Sequence, residues 1–229
     1  RGVIETTLVA GVGTEEIYRR AFSSLRNEER TAAARYSLRR ALFEFGPSGH
    51  PFEDFVSQLF LKEGWDVEWR KTIPGKCVPH EVDIYAKRNG EHLAAELKYH
   101  NDPNYKTDVK VALYVKARFD DIWQCDPSKG AVCPVDRGFL ITNTKFTSSA
   151  IQYASCSGIG LLGWSYPNEG NLYDRIVSAG LFPVTSLTQL HKSEKRLLVD
   201  QGIVTTDQLS ERRDELRKLG LPPERIGGI

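Results

Sequence analysis

The spacing of apolar side chains predicts a helix followed by a strand in the first half of the chain. Over residues 51–63, apolar positions recur every three or four residues, which places one face of a helix against a core. These positions are Phe52, Phe55, Val56, Leu59 and Phe60. Gly64 ends this helix, and Trp65, Val67 and Trp69 then alternate with polar residues at the period of a strand.

A β-hairpin is predicted around Asn89 and Gly90, because this dipeptide is the strongest short-range hairpin signal. It separates the runs 81–88 and 91–99, and a two-residue turn fixes how they pair. Counting outward from the turn gives one wholly apolar face, which supports the same register. Its pairs are Ile84 with Ala95, Val82 with Leu97, and Ala86 with Leu93.

The opposite face of this hairpin carries charge, with Asp83 directly across from Glu96 and with Lys98 and Glu81 as the next pair. Carboxylates in directly opposed positions have Cβ atoms about 5 Å apart and repel each other. Solvent screening, protonation or a bound cation would relieve that repulsion. Carboxylate oxygens suit Mg²⁺ or Mn²⁺, and a neighbouring lysine would complete a phosphodiester-cleaving site. An ordinary solvated hairpin face is the alternative.

Further helices and strands follow the hairpin in alternation, which indicates a mixed α/β sheet. Helical spacing predicts helices over 108–123, 148–156, 193–201 and 206–219. Short apolar runs predict strands over 139–142 and 159–164. Strong helix formers over 28–45 predict one more helix before residue 46.

Charge and cysteine content narrow the class of protein. The 31 basic and 30 acidic residues leave a net charge of +1, which excludes a binder acting by bulk positive charge but allows a local basic groove. No apolar run reaches about 18 residues, and no signal peptide is visible. Four cysteines without a CxxC pair are expected to be mostly free thiols of a cytoplasmic protein. Because the chain starts at Arg1 and contains no Met, we expect it to be part of a longer protein.

The run HEVDIYAKRNGEHLAAELKYH resembles the active-site hairpin of PD-(D/E)XK nucleases, with Asp83, Glu96 and Lys98 at the motif positions. PFEDFVSQLFLKEGWDV is similar to a helix of the Mrr-like branch, and it places Glu53 at a further metal-site position. GFLITNTKFTSSAIQYASCSGIGLLGW is similar to the later strand-helix-strand of that branch. The departures are Val82, where the motif usually has proline, and an ExK triplet where Mrr-like enzymes often have QxK.

This resemblance covers about residues 50–165 and implies a restriction-endonuclease-like mixed sheet flanked by helices. It implies a metal-dependent DNA endonuclease in which Glu53, Asp83 and Glu96 bind Mg²⁺ or Mn²⁺. Lys98 would assist the attacking water. The alternative is a non-cleaving, nucleotide-regulated DNA-binding protein on a nuclease scaffold, and the sequence does not separate a DNA nuclease from an RNA nuclease.

Basic residues on or before the helix that follows the hairpin are candidate contacts for the DNA backbone, where they would give salt-sensitive affinity. They are Lys106, Lys110, Lys116 and Arg118. A solvated helix face is the alternative. His80 and His100, near the ends of the hairpin, are either metal or phosphate contacts or plain surface histidines.

The two ends of the chain resemble small helical modules, so three parts are expected: 1–48, 49–182 and 183–229. ARYSLRRALFEFGPSGHPFE resembles the end of an ATP-cone, which implies ATP or dATP as a partner of the intact module. The tail from 187 onward resembles a helix-hairpin-helix, with Gly202 and Gly220 as turn glycines that would bring backbone N–H groups to phosphate. Each glycine is alternatively a plain helix C-cap. Cutting of both DNA strands would favour a homodimer.

Overall fold

The computed structural model describes residues 34–126, 135–212 and 214. The chain divides into two compact units, residues 1–38 and 39–229. Of the first unit, residues 34–38 are described and are helical. The predicted ATP-cone-like segment therefore lies largely outside the described residues, as do Gly220 and most of the predicted helix after residue 211.

A mixed five-stranded sheet forms the centre of the second unit, in the order β1-β2-β3-β5-β7. β2 (His80–Arg88) pairs antiparallel with both of its neighbours, β1 (Asp66–Ile73) and β3 (Glu91–Lys98). β5 (Arg137–Thr142) and β7 (Gly160–Leu162) continue the sheet parallel to β3. β4 (Lys106–Thr107) and β6 (Lys145–Phe146) form a small parallel pair beside it.

Helices cover this sheet. α1 (His50–Lys62) packs on β1 and β2, and α2 (Val109–Trp123) packs with α3 (Ser148–Ser157) over β5 and β7. The apolar face of α1 is completely buried, and each large side chain there contributes about 1.5–3 kcal/mol through burial. α4 (Leu172–Ala179) packs against α1.

A short helical region follows α4. It consists of a 3₁₀ turn at Val184–Ser186, α5 (Lys192–Asp200) and α6 (Thr206–Glu211). The predicted fold class, a mixed sheet with flanking helices, is confirmed. Within the described residues, no helix is long and apolar enough to cross a bilayer.

The predicted strands and the helices predicted over 51–63, 108–123, 148–156 and 193–201 are confirmed with small changes in their bounds. The helices predicted over 28–45 and 206–219 lie only partly within the described residues. β4 and β6 were not predicted, and neither was α4. Its signals were present: Asn171 and Asp174 form a reciprocal capping box at its start, and Gly180 ends it in the left-handed conformation. The expectation of mostly free thiols is wrong for Cys125, which is disulfide-bonded.

The predicted hairpin register is confirmed from the turn outward as far as Ile84–Ala95. The three pairs predicted beyond it, Asp83–Glu96, Val82–Leu97 and Glu81–Lys98, do not form, because the ladder ends at Ile84–Ala95. The N–H of Leu97 donates instead to Oδ2 of Asp83, at 2.6 Å.

The alternation of β2 also breaks at Asp83. Val82 and Tyr85 belong to the same core cluster beneath α2, although residues three apart in a regular strand face opposite ways. Val82 therefore lies on the opposite side of the sheet from the apolar face to which it was assigned by the predicted register. In β1, Arg70 lies between the partners of Ile84 and Val82 and has a φ of 52°, which is unusual for a residue with a side chain.

Candidate active site

Asp83 lies where the ladder between β2 and β3 ends. Its Oδ2 accepts the Leu97 N–H, whereas no hydrogen bond from the described part of the chain reaches Oδ1. Burial, followed by the nearby charge of Glu96, raises the pKa of Asp83 to about 6, and Glu53 contributes in the same direction. Lys98 and the Leu97 N–H oppose this shift only in part. The site therefore holds unrelieved negative potential at Asp83.

Glu96 is buried on the α2 side of β3 and is held by two basic side chains. Its side chain is 8% exposed, and Nζ of Lys98 donates to Oε1 at 2.6 Å. Nη1 of Arg118 donates to Oε2, and Nη2 of Arg118 donates to the carbonyl of Glu81. Because Val82 and Val115 line the same small cavity, the Glu96 charge is compensated by Lys98 and Arg118 rather than by water.

Glu53 projects from the first turn of α1 toward β1. Its Oε2 accepts from Nε of Arg70 at 3.2 Å and contacts Nδ1 of His50 at the same distance. Nη2 of Arg70 also donates to Oδ1 of Asp54, at 3.2 Å. Arg70 thus joins α1 to the distorted part of β1 opposite Asp83. No local sequence signal predicted this role, because it depends on the positive φ at residue 70.

The structure thus brings the three predicted carboxylates within electrostatic reach of one another, with Lys98 beside Glu96. Across the described ranges, however, no group of three or more His, Cys, Asp or Glu side chains is arranged to hold a metal ion. The donor types fit a hard divalent cation, since all three are carboxylates and Oδ1 of Asp83 has spare capacity. A cation bound there would take over the neutralisation that Arg70 and Arg118 provide.

The predicted nucleic-acid contacts differ in their surroundings. Lys106 and Lys110 are exposed to solvent. Lys116 pairs with Asp120, and Arg118 is engaged with Glu96. At the end of α5, the backbone N–H of Gly202 donates to the carbonyl of Val199, as at an ordinary helix C-cap. The phosphate contacts predicted for these residues stay predictions.

The two histidines near the hairpin have different environments. Nε2 of His80 lies 2.8 Å from Oδ2 of Asp121, whose carboxylate also accepts the N–H groups of Cys77 and Val78. His80 therefore anchors the loop before β2. His100 contacts Oγ1 of Thr107 through Nε2 at 3.0 Å, and burial, aided by the charge of Lys98, lowers the pKa of His100.

Comparisons with known proteins give two relatives without an assigned activity. The family model "AF1548-like, C-terminal" matches residues 182–229. An uncharacterized protein of Archaeoglobus fulgidus is 36% identical over 167 residues, which are 72% of this chain and 90% of the relative. The crystal structure of the protein of unknown function AF1548 has a TM-score of 0.62 and 32% identity, with coverage of 79% of this chain and 94% of that one.

A more distant similarity is to the MspJI restriction endonuclease in complex with a 27-mer oligonucleotide, with a TM-score of 0.41 and 12% identity. It covers 86% of this chain and 39% of the endonuclease. This similarity is too low to support an argument about chemistry. The Mrr-like and ATP-cone resemblances are not tested by these matches and stay predictions.

Proposed function

The chain belongs to the AF1548-like family, and we propose that it is a metal-dependent DNA endonuclease. The proposal names Glu53, Asp83 and Glu96 as ligands of Mg²⁺ or Mn²⁺ and Lys98 as the residue that assists the attacking water. The observation that supports this proposal best is the uncompensated charge at Asp83.

Asp83 is held where a carboxylate is costly, and a divalent cation is the partner that would relieve this cost. Burial and the charges of Glu96 and Glu53 together raise the pKa of Asp83 to about 6. Strongly perturbed carboxyl groups with named charge partners are typical of functional sites. A purely structural ion pair would supply a cation to each acid, yet within the described residues Asp83 accepts a hydrogen bond only from the Leu97 amide.

Lys98 supports a hydrolytic role because its ammonium is partly exposed beside the carboxylates. Its side chain is 34% exposed, and Nζ lies 2.6 Å from Oε1 of Glu96. From there it would orient the attacking water or stabilise negative charge that develops on the phosphate. A bound Mg²⁺ would polarise the phosphoryl oxygen and lower the pKa of a bound water. Lys106 and Lys110, both exposed, would hold the DNA backbone.

The deciding experiment is cleavage of supercoiled plasmid, single-stranded DNA and RNA by the full chain, with Mg²⁺ or Mn²⁺ and with EDTA. We expect metal-dependent cleavage of DNA that is lost in Asp83→Asn and Lys98→Ala. Glu68→Gln and Lys87→Ala are matched controls, because these residues form an exposed ion pair between β1 and β2 of the same sheet. Undiminished cleavage by both site variants would overturn the site assignment. Preferential cleavage of RNA would identify RNA instead of DNA as the substrate.

The second candidate is a non-cleaving DNA-binding protein, regulated by ATP or dATP, on a nuclease scaffold. The observation that favours it is the state of Glu96, whose two oxygens are bonded to Lys98 and Arg118. Titration of the full chain with Mn²⁺ by electron paramagnetic resonance separates the two candidates. Mn²⁺ binding that Asp83→Asn abolishes supports the nuclease, whereas DNA binding without Mn²⁺ binding supports the non-cleaving scaffold.

Light scattering of the DNA complex would test the predicted homodimer.

A further inference from the structure

Two exposed tyrosines are connected to the candidate active site through the residues that hold Glu96. Tyr105 is 43% exposed and Tyr114 is 57% exposed, although tyrosine rings usually bury much of their surface. Tyr105 follows β3 in the chain and Tyr114 is on α2. Neither ring belongs to the main core cluster. Both rings are therefore accessible to a ligand.

The ring of Tyr105 lies against that of His100, close to Lys98, in a tilted arrangement. The two ring centroids are 4.1 Å apart and the ring planes are 32° apart. His100 is fixed, because its backbone N–H donates to Oδ1 of Asn143 at 2.9 Å and its Nε2 contacts Thr107. The pair is close enough to Lys98 for that charge to disfavour protonation of His100. This pair of aromatic rings, in which His100 is held by hydrogen bonds, thus lies near the proposed catalytic lysine.

Tyr114 is connected to Glu96 through Arg118. The guanidinium carbon of Arg118 lies 5.7 Å from the centroid of the Tyr114 ring, and the same guanidinium donates to Glu96. Lys110 is four residues earlier on α2, so it shares the face of Tyr114. Leu113 beside it is 46% exposed. Lys110, Leu113 and Tyr114 are therefore exposed together on α2.

This combination suits unpaired nucleobases. A base presents an apolar π-face that stacks on an aromatic ring irrespective of its sequence, and nearby lysines hold the phosphates. In a duplex the same faces are already stacked on neighbouring base pairs, so only phosphates and groove edges are accessible. Lys106 and Lys110 follow Tyr105 and precede Tyr114 in the chain, so exposed rings and lysines together offer single strands contacts that duplex DNA cannot use.

We propose that His100, Tyr105, Lys110 and Tyr114 form a stacking surface for unpaired bases, so that the substrate is DNA with single-stranded nucleotides next to the bond that is cut. This inference deepens the proposed nuclease function and rests on it. It names the substrate class that the carboxylate site alone leaves open.

The test is equilibrium binding of labelled single-stranded, duplex and forked oligonucleotides in EDTA, followed by fluorescence anisotropy. We expect Tyr105→Ala to raise the Kd for single-stranded DNA about tenfold, because one base loses its stacking partner. Tyr105→Phe should restore binding, since it keeps the ring. Phe182→Ala is the matched control, because Phe182 is also an aromatic residue with 43% exposure.

A second readout reports stacking directly. The fluorescence of 2-aminopurine in a single strand should be quenched on binding to the unaltered protein and to Tyr105→Phe, but not to Tyr105→Ala. Equal affinity for single-stranded and duplex DNA, unchanged by Tyr105→Ala, would overturn the stacking surface while leaving the nuclease intact. Binding of neither form of DNA would also overturn the stacking surface, and the cleavage assay with Mg²⁺ or Mn²⁺ then tests the nuclease function separately.

Discussion

Arg118 and Glu96 form a buried ion pair that joins α2 to β3, and the second amino group of the same guanidinium holds the carbonyl of Glu81. The side chains of Arg118 and Glu96 are only 17% and 8% exposed. A buried carboxylate that loses its partner keeps the cost of desolvation without compensation. Arg118 therefore serves as the internal counter-ion of a carboxylate that a metal ion would otherwise neutralise.

Replacing Arg118 should destabilise the metal-free protein and strengthen metal binding. We expect Arg118→Met to lower the free energy of unfolding by roughly 3 kcal/mol in EDTA, because the charge of Glu96 is left with Lys98 alone. Mn²⁺ should recover much of this loss, since a bound cation stabilises the folded state that holds it. Urea unfolding with and without Mn²⁺ measures both effects.

The control for this prediction is Arg137→Met. Arg137 pairs with Glu91 on the surface, where the side chains are 57% and 37% exposed. Exposed pairs contribute about 1 kcal/mol or less, so this variant should unfold almost like the unaltered protein and gain nothing from Mn²⁺. Equal losses in the two variants would contradict the counter-ion role of Arg118.

Asp83 should destabilise the metal-free fold at neutral pH. Its pKa is raised to about 6 from an ordinary 3.8, so the folded state binds this proton more tightly than the unfolded chain does. The protonated Asp83 carboxyl therefore contributes stability below about pH 4, and this contribution is lost as the pH rises toward about 6. Because the group is partly solvated, we expect Asp83→Asn to add about 1–2 kcal/mol at pH 7 in EDTA. The gain should shrink as the pH falls through this window.

Asp121 should show the opposite pH dependence. The hydrogen bond from His80 holds the pKa of Asp121 well below its ordinary 3.8, and the N–H groups of Cys77 and Val78 add to the effect. Its stabilising contribution is present above that ordinary value and is lost as the pH falls below it. Asp121→Asn should therefore lower the melting temperature at pH 7 and have less effect near pH 3. A loss of equal size at both pH values would show that the carboxylate charge is not the cause.

The sequence predicted those parts of the site that depend on local geometry. Asn89 and Gly90 determine a turn, the turn determines the register, and the paired residues up to Ile84–Ala95 follow from it. The end of the ladder was not predictable in this way. It depends on whether the Leu97 N–H donates to a backbone carbonyl or to the Asp83 side chain, and the tertiary packing decides between these two acceptors.

The difference between local geometry and tertiary packing also applies to the basic residue Arg118. The sequence places Arg118 among the candidate contacts for DNA, because basic residues on a helix after a nuclease-like hairpin favour that interpretation. In the structure its guanidinium reaches Glu96, which is 22 residues earlier in the chain, and the contact with DNA stays a prediction. A side chain as long as arginine can bond in several directions, so its partner follows from packing and not from sequence spacing.

Arg70 allows a direct test of the distortion opposite Asp83. Its φ of 52° costs an ordinary L-residue about 1–2 kcal/mol, whereas glycine adopts it freely. Arg70→Ala and Arg70→Gly both lose the bonds to Glu53 and Asp54, so the difference between them isolates the backbone. In a regular strand the alanine variant would be the more stable of the two. Here the glycine variant should be more stable by about 1 kcal/mol in urea unfolding. The reverse order would mean that the strand is regular at this position.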